Sequence, residues 1–193
     1  ILSGEGRCRA DINLPGIQKQ LVAEVAKANK NIAMIVMAGR PLTIGDEVEA
    51  VSSVLYTFHG GTMAGPAISD LVFGKEVPSG KTPVTFPKMV GQVPLYYNRY
   101  NTGRPSYDPP MLIDSIPIGC PQFSIGQSSY WLETPTEALV PFGFGLSYTT
   151  FEYGDAKAAK ASMTADGKMT VTVNVKNTGE REGAEIVQLY IAD

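Results

Sequence analysis

From residue 15 onward the apolar positions keep a helical rhythm. Ile17, Leu21, Val25 and Ala28 recur at helical spacing, with Gln18, Lys19, Glu24 and Lys27 on other faces. The spacing predicts an amphipathic helix of about four turns. Pro15 suits its first turn, where a missing amide hydrogen costs nothing, and Asn29-Lys30-Asn31 closes it. The continuous apolar run 32–38 predicts a strand buried on both faces. Gly39-Arg40-Pro41-Leu42 breaks that strand, residues 44–51 suit a short helix, and 53–58 read as a second strand. His59-Gly60-Gly61-Thr62 is the loop at its C-terminal end. A helix over 64–73 follows, with Ile68, Leu71 and Val72 at helical spacing and Gly74 as its stop. This order of helices and strands is that of an α/β domain with a parallel sheet. In such sheets the loops at the carboxyl ends of the strands carry the site.

Past Pro78 the periodicity fades. Residues 78–87 are turn chemistry with a short extended piece, 93–98 are extended and aromatic, and 103–138 are rich in Pro, Gly, Ser and Tyr. A loop that long is uncommon unless it is functional or spans domains. Alternation with period two then returns. Residues 169–175 predict a strand with one face buried, Ala165-Asp166-Gly167-Lys168 a hairpin turn before it, and 185–191 a further strand. Three or four strands at this spacing suggest the opening of a β-sandwich.

Composition narrows the classes. The 193 residues are 44% hydrophobic and 18% charged, enough for a packed core and contrary to global disorder. A net charge of −3 without any basic run argues against a nucleic-acid binder. No apolar run approaches a membrane span, and no signal-peptide pattern stands at the N-terminus. The start, Ile1-Leu2-Ser3-Gly4, reads as internal to something longer. Cys8 and Cys120 form no CxxC, and one histidine, His59, leaves no zinc set. The two thiols could pair in an oxidising compartment or stay free. No cofactor and no metal is expected.

Candidate chemistry begins at the N-terminus. Glu5 sits between Gly4 and Gly6, followed by Arg7, Arg9 and Asp11 and then Leu14-Pro15-Gly16. Flanking glycines allow a sharp turn and leave the carboxylate uncrowded, which suits a group reaching into a cleft. On these residues alone, a charged surface loop leading into a helix is the plainer reading. His59 reads as a loop or cleft-lining residue rather than a catalytic base. If Glu5 leaves an upstream strand as His59 leaves its own, both face one cleft. Gly80-Lys81-Thr82 resembles the end of a phosphate loop, but Lys75 stands where the earlier glycine belongs, which argues against nucleotide binding. The aromatics Tyr96, Tyr97, Tyr100, Tyr107, Tyr130 and Trp131 read mostly as packing, with one or two available to stack on a sugar ring.

A series of short motifs lifts Glu5 above the plain reading. It comprises Ser3-Gly4-Glu5 with Arg9, Asp11 and Leu14-Pro15-Gly16; Ala38-Gly39-Arg40-Pro41; residues 67–74; Pro78-Ser79-Gly80-Lys81; Thr85-Phe86-Pro87; Gly91-Gln92-Val93-Pro94; Asn101-Thr102-Gly103-Arg104-Pro105; and the most specific, residues 141–149, Pro-Phe-Gly-Phe-Gly-Leu-Ser-Tyr-Thr. In this order the series resembles the later part of glycoside hydrolase family 3 enzymes of the bacterial β-glucosidase type. Two departures stand out. Gly61-Thr62-Met63-Ala64-Gly65 replaces a Gly-Glu-Gly-Gly loop found in many members, and Cys8 stands where a serine often precedes the arginine.

The resemblance implies an α/β fold. Residues 1–105 would be the second half of an α/β sandwich with a parallel sheet and helices. A long linker over 106–145 would lead to the opening strands of a fibronectin type III-like β-sandwich at 146–193. It implies a retaining, exo-acting β-glycosidase, acting on a β-glucoside or β-xyloside. Glu5 would be the catalytic general acid/base, and the nucleophilic aspartate would lie in a barrel domain that this chain lacks. Arg9 and His59 are candidates for substrate contact; Arg9 could also orient Glu5 or, as the favoured reading, act as a loop strut to Asp11, since arginine forks tie loops by bidentate pairs. The implied partners are a β-linked oligosaccharide or glycoside and that barrel domain, with a homodimer left open, in a periplasmic or secreted protein. The rival reading is a non-catalytic carbohydrate-binding or structural module, with residues 95–131 as its contact surface.

Overall fold

The computed structural model describes residues 6–100, 103–106, 110–121 and 126–192. Glu5 and Tyr107 lie outside the described residues. The fold is mixed α/β with few helices and small sheets, and the chain divides into two compact units, residues 1–62 with 82–144, and 63–81 with 145–193.

In the first unit the elements are α1 (Gln18–Ala28), β1 (Ala33–Val36), α2 (Gly45–Ala50) and β2 (Ser53–Tyr56). β1 and β2 pair in parallel, Ala33 opposite Ser53 through Val36 opposite Tyr56. Both strands therefore end on one edge of the sheet, as the helix–strand alternation predicts. Val36, Ile44 and Phe86 form the core with Ile12 and Ala26. Phe86 enters it from the second segment, which an antiparallel bridge to Val140 secures. Gln92 is buried, and its amide is used on both sides. Oε1 accepts from the Lys88 amide at 2.6 Å, and Nε2 donates to the Pro135 carbonyl at 2.9 Å.

Three expectations change here. Pro15 does not open α1, because Gly16 takes φ +61°, outside the right-handed helix, and the first helical residue is Gln18. The apolar face of α1 is not buried, with Ile17 75% and Leu21 60% exposed. The helix meets α2 instead, with Ala26 buried and Lys19 donating to Asp46 at 2.6 Å. β1 is buried at Val36 but open at Ile35, because the described sheet has two strands and too little of the chain covers both faces.

The second unit holds α3 (Ala64–Val72), β3 (Phe151–Tyr153), β4 (Lys157–Ala158), β5 (Val171–Thr172) and β6 (Val175–Asn177). β3 pairs antiparallel with β6, and β4 with β5. The turn at 165–168 forms as predicted, with the Gly167 amide donating to the Thr164 carbonyl at 2.9 Å. The strand expected over 169–175 is divided between β5 and β6, and 185–191 forms no ladder with any described segment. Alternation fixes which side chains share a face; a strand also needs a neighbouring backbone to pair with.

Side-chain clamps hold this unit together. Lys81 Nζ lies 3.2 Å from Glu185 Oε1, both mostly buried, and donates to the Gly145 carbonyl at 2.8 Å. Tyr148 donates its hydroxyl to the Leu71 carbonyl at 2.9 Å. Arg181 donates to the Gly74 carbonyl and lies 5.8 Å from the centre of the Tyr148 ring.

Candidate active site

The C-terminal edge of β1 and β2 gathers the candidate residues of the first unit. β1 runs out into Ala38-Gly39-Arg40-Pro41, and β2 into Thr57-Phe58-His59. The Thr57 amide donates to the Val36 carbonyl at 2.9 Å, so the two exits stay in register. They then touch. A methyl group on Gly39 would stand 2.6 Å from His59 Nε2, so only glycine lets the imidazole lie against this backbone. His59 itself is exposed.

Phe58 takes φ +49°, a left-handed conformation that is rare for a bulky side chain. Its ring packs 4.9 Å from Tyr56 and 6.3 Å from Phe86, while Tyr56 and Phe86 meet edge to face at 4.8 Å. This cluster over-determines the Phe58 backbone and so fixes where the chain leaves β2 toward His59.

The loop 6–13 reaches the same edge. Arg40 donates through Nη1 to Cys8 Sγ at 3.0 Å and through Nη2 to the Arg9 carbonyl. The Arg40 carbonyl in turn accepts from the Tyr56 hydroxyl at 2.6 Å. Burial pushes the Tyr56 phenol up to about 12, against a smaller opposing pull from the Leu42 main chain. Farther along, the Thr43 amide donates to the Ile12 carbonyl at 3.0 Å, and the Thr43 hydroxyl to Asn13 Oδ1 at 2.6 Å. Asp11 Oδ1 accepts from both nitrogens of Asn13.

Arg9 is half-exposed, and its guanidinium lies 3.9 Å from Asp11 Oδ2, a long single contact rather than a bidentate fork. The strut to Asp11 therefore exists in loose form. What grips the loop is Arg40, which sequence reasoning noted only as part of a motif. The sequence signal it leaves is its place four residues past β1, between Gly39 and Pro41, which does not name its partners.

Beyond this edge, Tyr97 stacks on Phe142 at 4.5 Å and the Arg99 guanidinium lies 5.0 Å from the centre of the Trp131 ring, so these aromatics have packing partners. Tyr96 and Tyr100 are exposed. A groove of about 470 Å³ lined by Ala23, Ala26, Lys27, Lys30 and Ser52 lies among residues that precede the strands, whereas the candidate site follows them. Cys8 and Cys120 are exposed free thiols. Among the described residues no group of three or more His, Cys, Asp or Glu is placed to hold a metal, and no helix is long and apolar enough to cross a membrane.

Residues 2–148 match the family description "Glycosyl hydrolase family 3 C-terminal domain". The chain belongs to glycosyl hydrolase family 3. Among similar proteins, a periplasmic beta-glucosidase of Salmonella typhimurium is 38% identical over 192 residues, covering 100% of this chain and 23% of that protein. A beta-xylosidase of Formosa agariphila is 42% identical over 190 residues, covering 98% of this chain and 24% of that protein. The crystal structure of a beta-glucosidase from Listeria innocua in complex with isofagomine superposes with a TM-score of 0.74 at 33% identity, over 90% of this chain and 22% of that one. The chain thus spans about a quarter of the length of the family 3 relatives it matches.

Proposed function

We propose that this chain is part of a retaining, exo-acting β-glycosidase of the β-glucosidase type and that it supplies the general acid/base, Glu5. The observation that carries the reading is the loop after Glu5, which family 3 membership places in the family's C-terminal region and which Arg40 pins at the carboxyl edge of a parallel sheet. Ligand sites in open α/β sheets lie at such edges.

The chemistry needs two carboxyl groups about 5–5.5 Å apart. One, from the barrel domain, attacks the anomeric carbon as Glu5 gives its proton to the departing glycosidic oxygen. The alcohol leaves and a glycosyl ester remains. Glu5, now a carboxylate, takes a proton from water as that water attacks the anomeric carbon, freeing the nucleophile and retaining configuration. A neighbouring carboxylate and a closed cleft keep such a donor protonated at working pH. Arg9 and His59 serve as substrate contacts. The substrate is a terminal β-linked sugar, and the protein is periplasmic or secreted. In this reading residues 1–105 are the second half of an α/β sandwich, 106–145 a linker, and 146–193 the start of a fibronectin type III-like domain.

The test is Glu5→Gln in the full-length enzyme. Hydrolysis of glycosides with poor leaving groups collapses, while activated aryl glycosides still form the glycosyl-enzyme. Equal loss on both substrate types overturns the role. The exposed rings of Tyr96 and Tyr100 favour a second reading, a carbohydrate-binding module. Sugar titration of the chain without the barrel decides it, with millimolar or tighter binding as the supporting result.

A further inference from the structure

We infer that Arg40 is the positioning residue for the loop that carries the proposed acid/base, an inference that rests on the role of Glu5 above. Three observations combine. The Arg40 guanidinium spends two donors on two successive residues of that loop, Cys8 Sγ at 3.0 Å and the Arg9 carbonyl. Its own backbone is fixed, because the Tyr56 hydroxyl donates to the Arg40 carbonyl at 2.6 Å and Pro41 follows in sequence. Tyr56 closes β2 and Arg40 follows β1, so the grip is anchored on the rigid part of the unit.

The reach of the chain makes this grip matter. Cys8 lies three residues after Glu5, so at most about 11 Å of backbone separates the pinned point from the carboxylate-bearing residue. Gly6, within that short tether, takes φ +68°, a turn conformation that glycine adopts readily. Proton transfer needs a heavy-atom approach of about 2.6–3.2 Å, and a misplacement of about 1 Å can cost about a hundredfold. A planar fork serves two acceptors at once; a lysine ammonium on a flexible stem does not hold both in one geometry. Arg40 acts on the reaction through the loop, without touching the reacting atoms.

The experiment uses the full-length enzyme with Arg40→Lys and Arg40→Gln, next to Glu5→Gln. Both Arg40 variants are expected to lower kcat on poor-leaving-group glycosides by about ten- to a hundredfold. KM should change little, activated aryl glycosides should be spared, and the alkaline limb of the pH profile should move as the acid/base loses its fixed surroundings. Added guanidinium should restore part of the loss in Arg40→Gln. Loss of both substrate classes alike, loss confined to KM, or no loss at all overturns the inference, as does unfolding of Arg40→Lys by circular dichroism, which would make Arg40 a structural strut. If Glu5→Gln shows the leaving-group split and the Arg40 variants do not, the positioning role fails alone. If Glu5→Gln shows no split, the assignment of the acid/base itself fails.

Discussion

The two units use their motif residues in opposite ways. In the first, Arg40 ties Cys8 and Arg9 by single hydrogen bonds to sulfur and backbone at an open strand edge, where His59 lies against Gly39. In the second, Lys81, Gly145 and Glu185 form a mostly buried clamp. The motif that most sharply identifies the family, 141–149, thus feeds the clamp through Gly145 and Tyr148 and contributes no group poised for chemistry there. A specific motif marks a place where the chain tolerates little change. Whether the reason is catalysis or packing is read from what its side chains touch.

Changes in the clamp should therefore cost stability and leave substrate preference alone. The largest expected effect is at Gly145, where a methyl group would land on the Gly80 carbonyl oxygen. Gly145→Ala is expected to cost about 3 kcal/mol, at the upper end for overpacking, because backbone rather than a movable side chain stands in the way. Lys81→Met comes next, at about 2 kcal/mol, since it removes the cation beside Glu185 and the donor to the Gly145 carbonyl. Urea unfolding of the full-length protein measures both. The ratio of rates on poor and activated leaving groups should stay at its wild-type value, and a changed ratio would break the contrast between the units.

How much of this was legible follows the same division. α1, β1, α2, β2 and α3 all appear where apolar spacing predicts them, because local periodicity encodes them directly. The faces they bury were less legible. Ile17 and Leu21 promised a buried stripe, yet α1 meets α2 with Ala26 buried instead, a choice made by the neighbour rather than by the helix. The strand predicted over 185–191 shows the same limit, since its residues alternate without a described partner to pair with. In the candidate site, His59 was placed correctly at a strand end, but the grip of Arg40 on the 8–9 loop joins residues more than thirty apart in sequence. No spacing rule reports such a contact. The left-handed backbone of Phe58 was equally hidden, because it is imposed by rings at positions 56 and 86.

Tyr56 tests the first unit at smaller amplitude. Tyr56→Phe keeps the ring cluster and removes the hydroxyl, and with it the hydrogen bond to the Arg40 carbonyl and the contact with the Leu42 main chain, an expected loss of about 1 kcal/mol. The sign of its pH dependence is fixed by the raised phenol. Below pH 10, folded and unfolded chains both hold the proton and stability is unaffected. Between 10 and about 12 the unfolded chain releases it while the folded chain keeps it, so stability falls as pH rises. The difference between wild type and Tyr56→Phe should be flat up to pH 10 and shrink above it. Unlike the clamp variants, Tyr56→Phe should also shift the leaving-group ratio, because it loosens the residue that grips the loop.

The smallest effect separates distance from burial as the cause of the clamp's strength. Lys19 and Asp46 lie 2.6 Å apart, closer than Lys81 and Glu185 at 3.2 Å. The hydrogen bond to Asp46 raises the Lys19 pKa above its ordinary value. Yet their side chains are 58% and 78% exposed, against 16% and 13% for the clamp. Water and salt screen the exposed pair, and ordering two mobile side chains offsets most of what remains. Asp46→Asn is expected to cost about 0.5 kcal/mol or less at low ionic strength, fading further in 1 M salt. Lys81→Met should keep its cost in the same salt. If Asp46→Asn instead proves as damaging as Lys81→Met, separation alone governs both pairs, and burial is not what distinguishes the clamp from the rest of the chain.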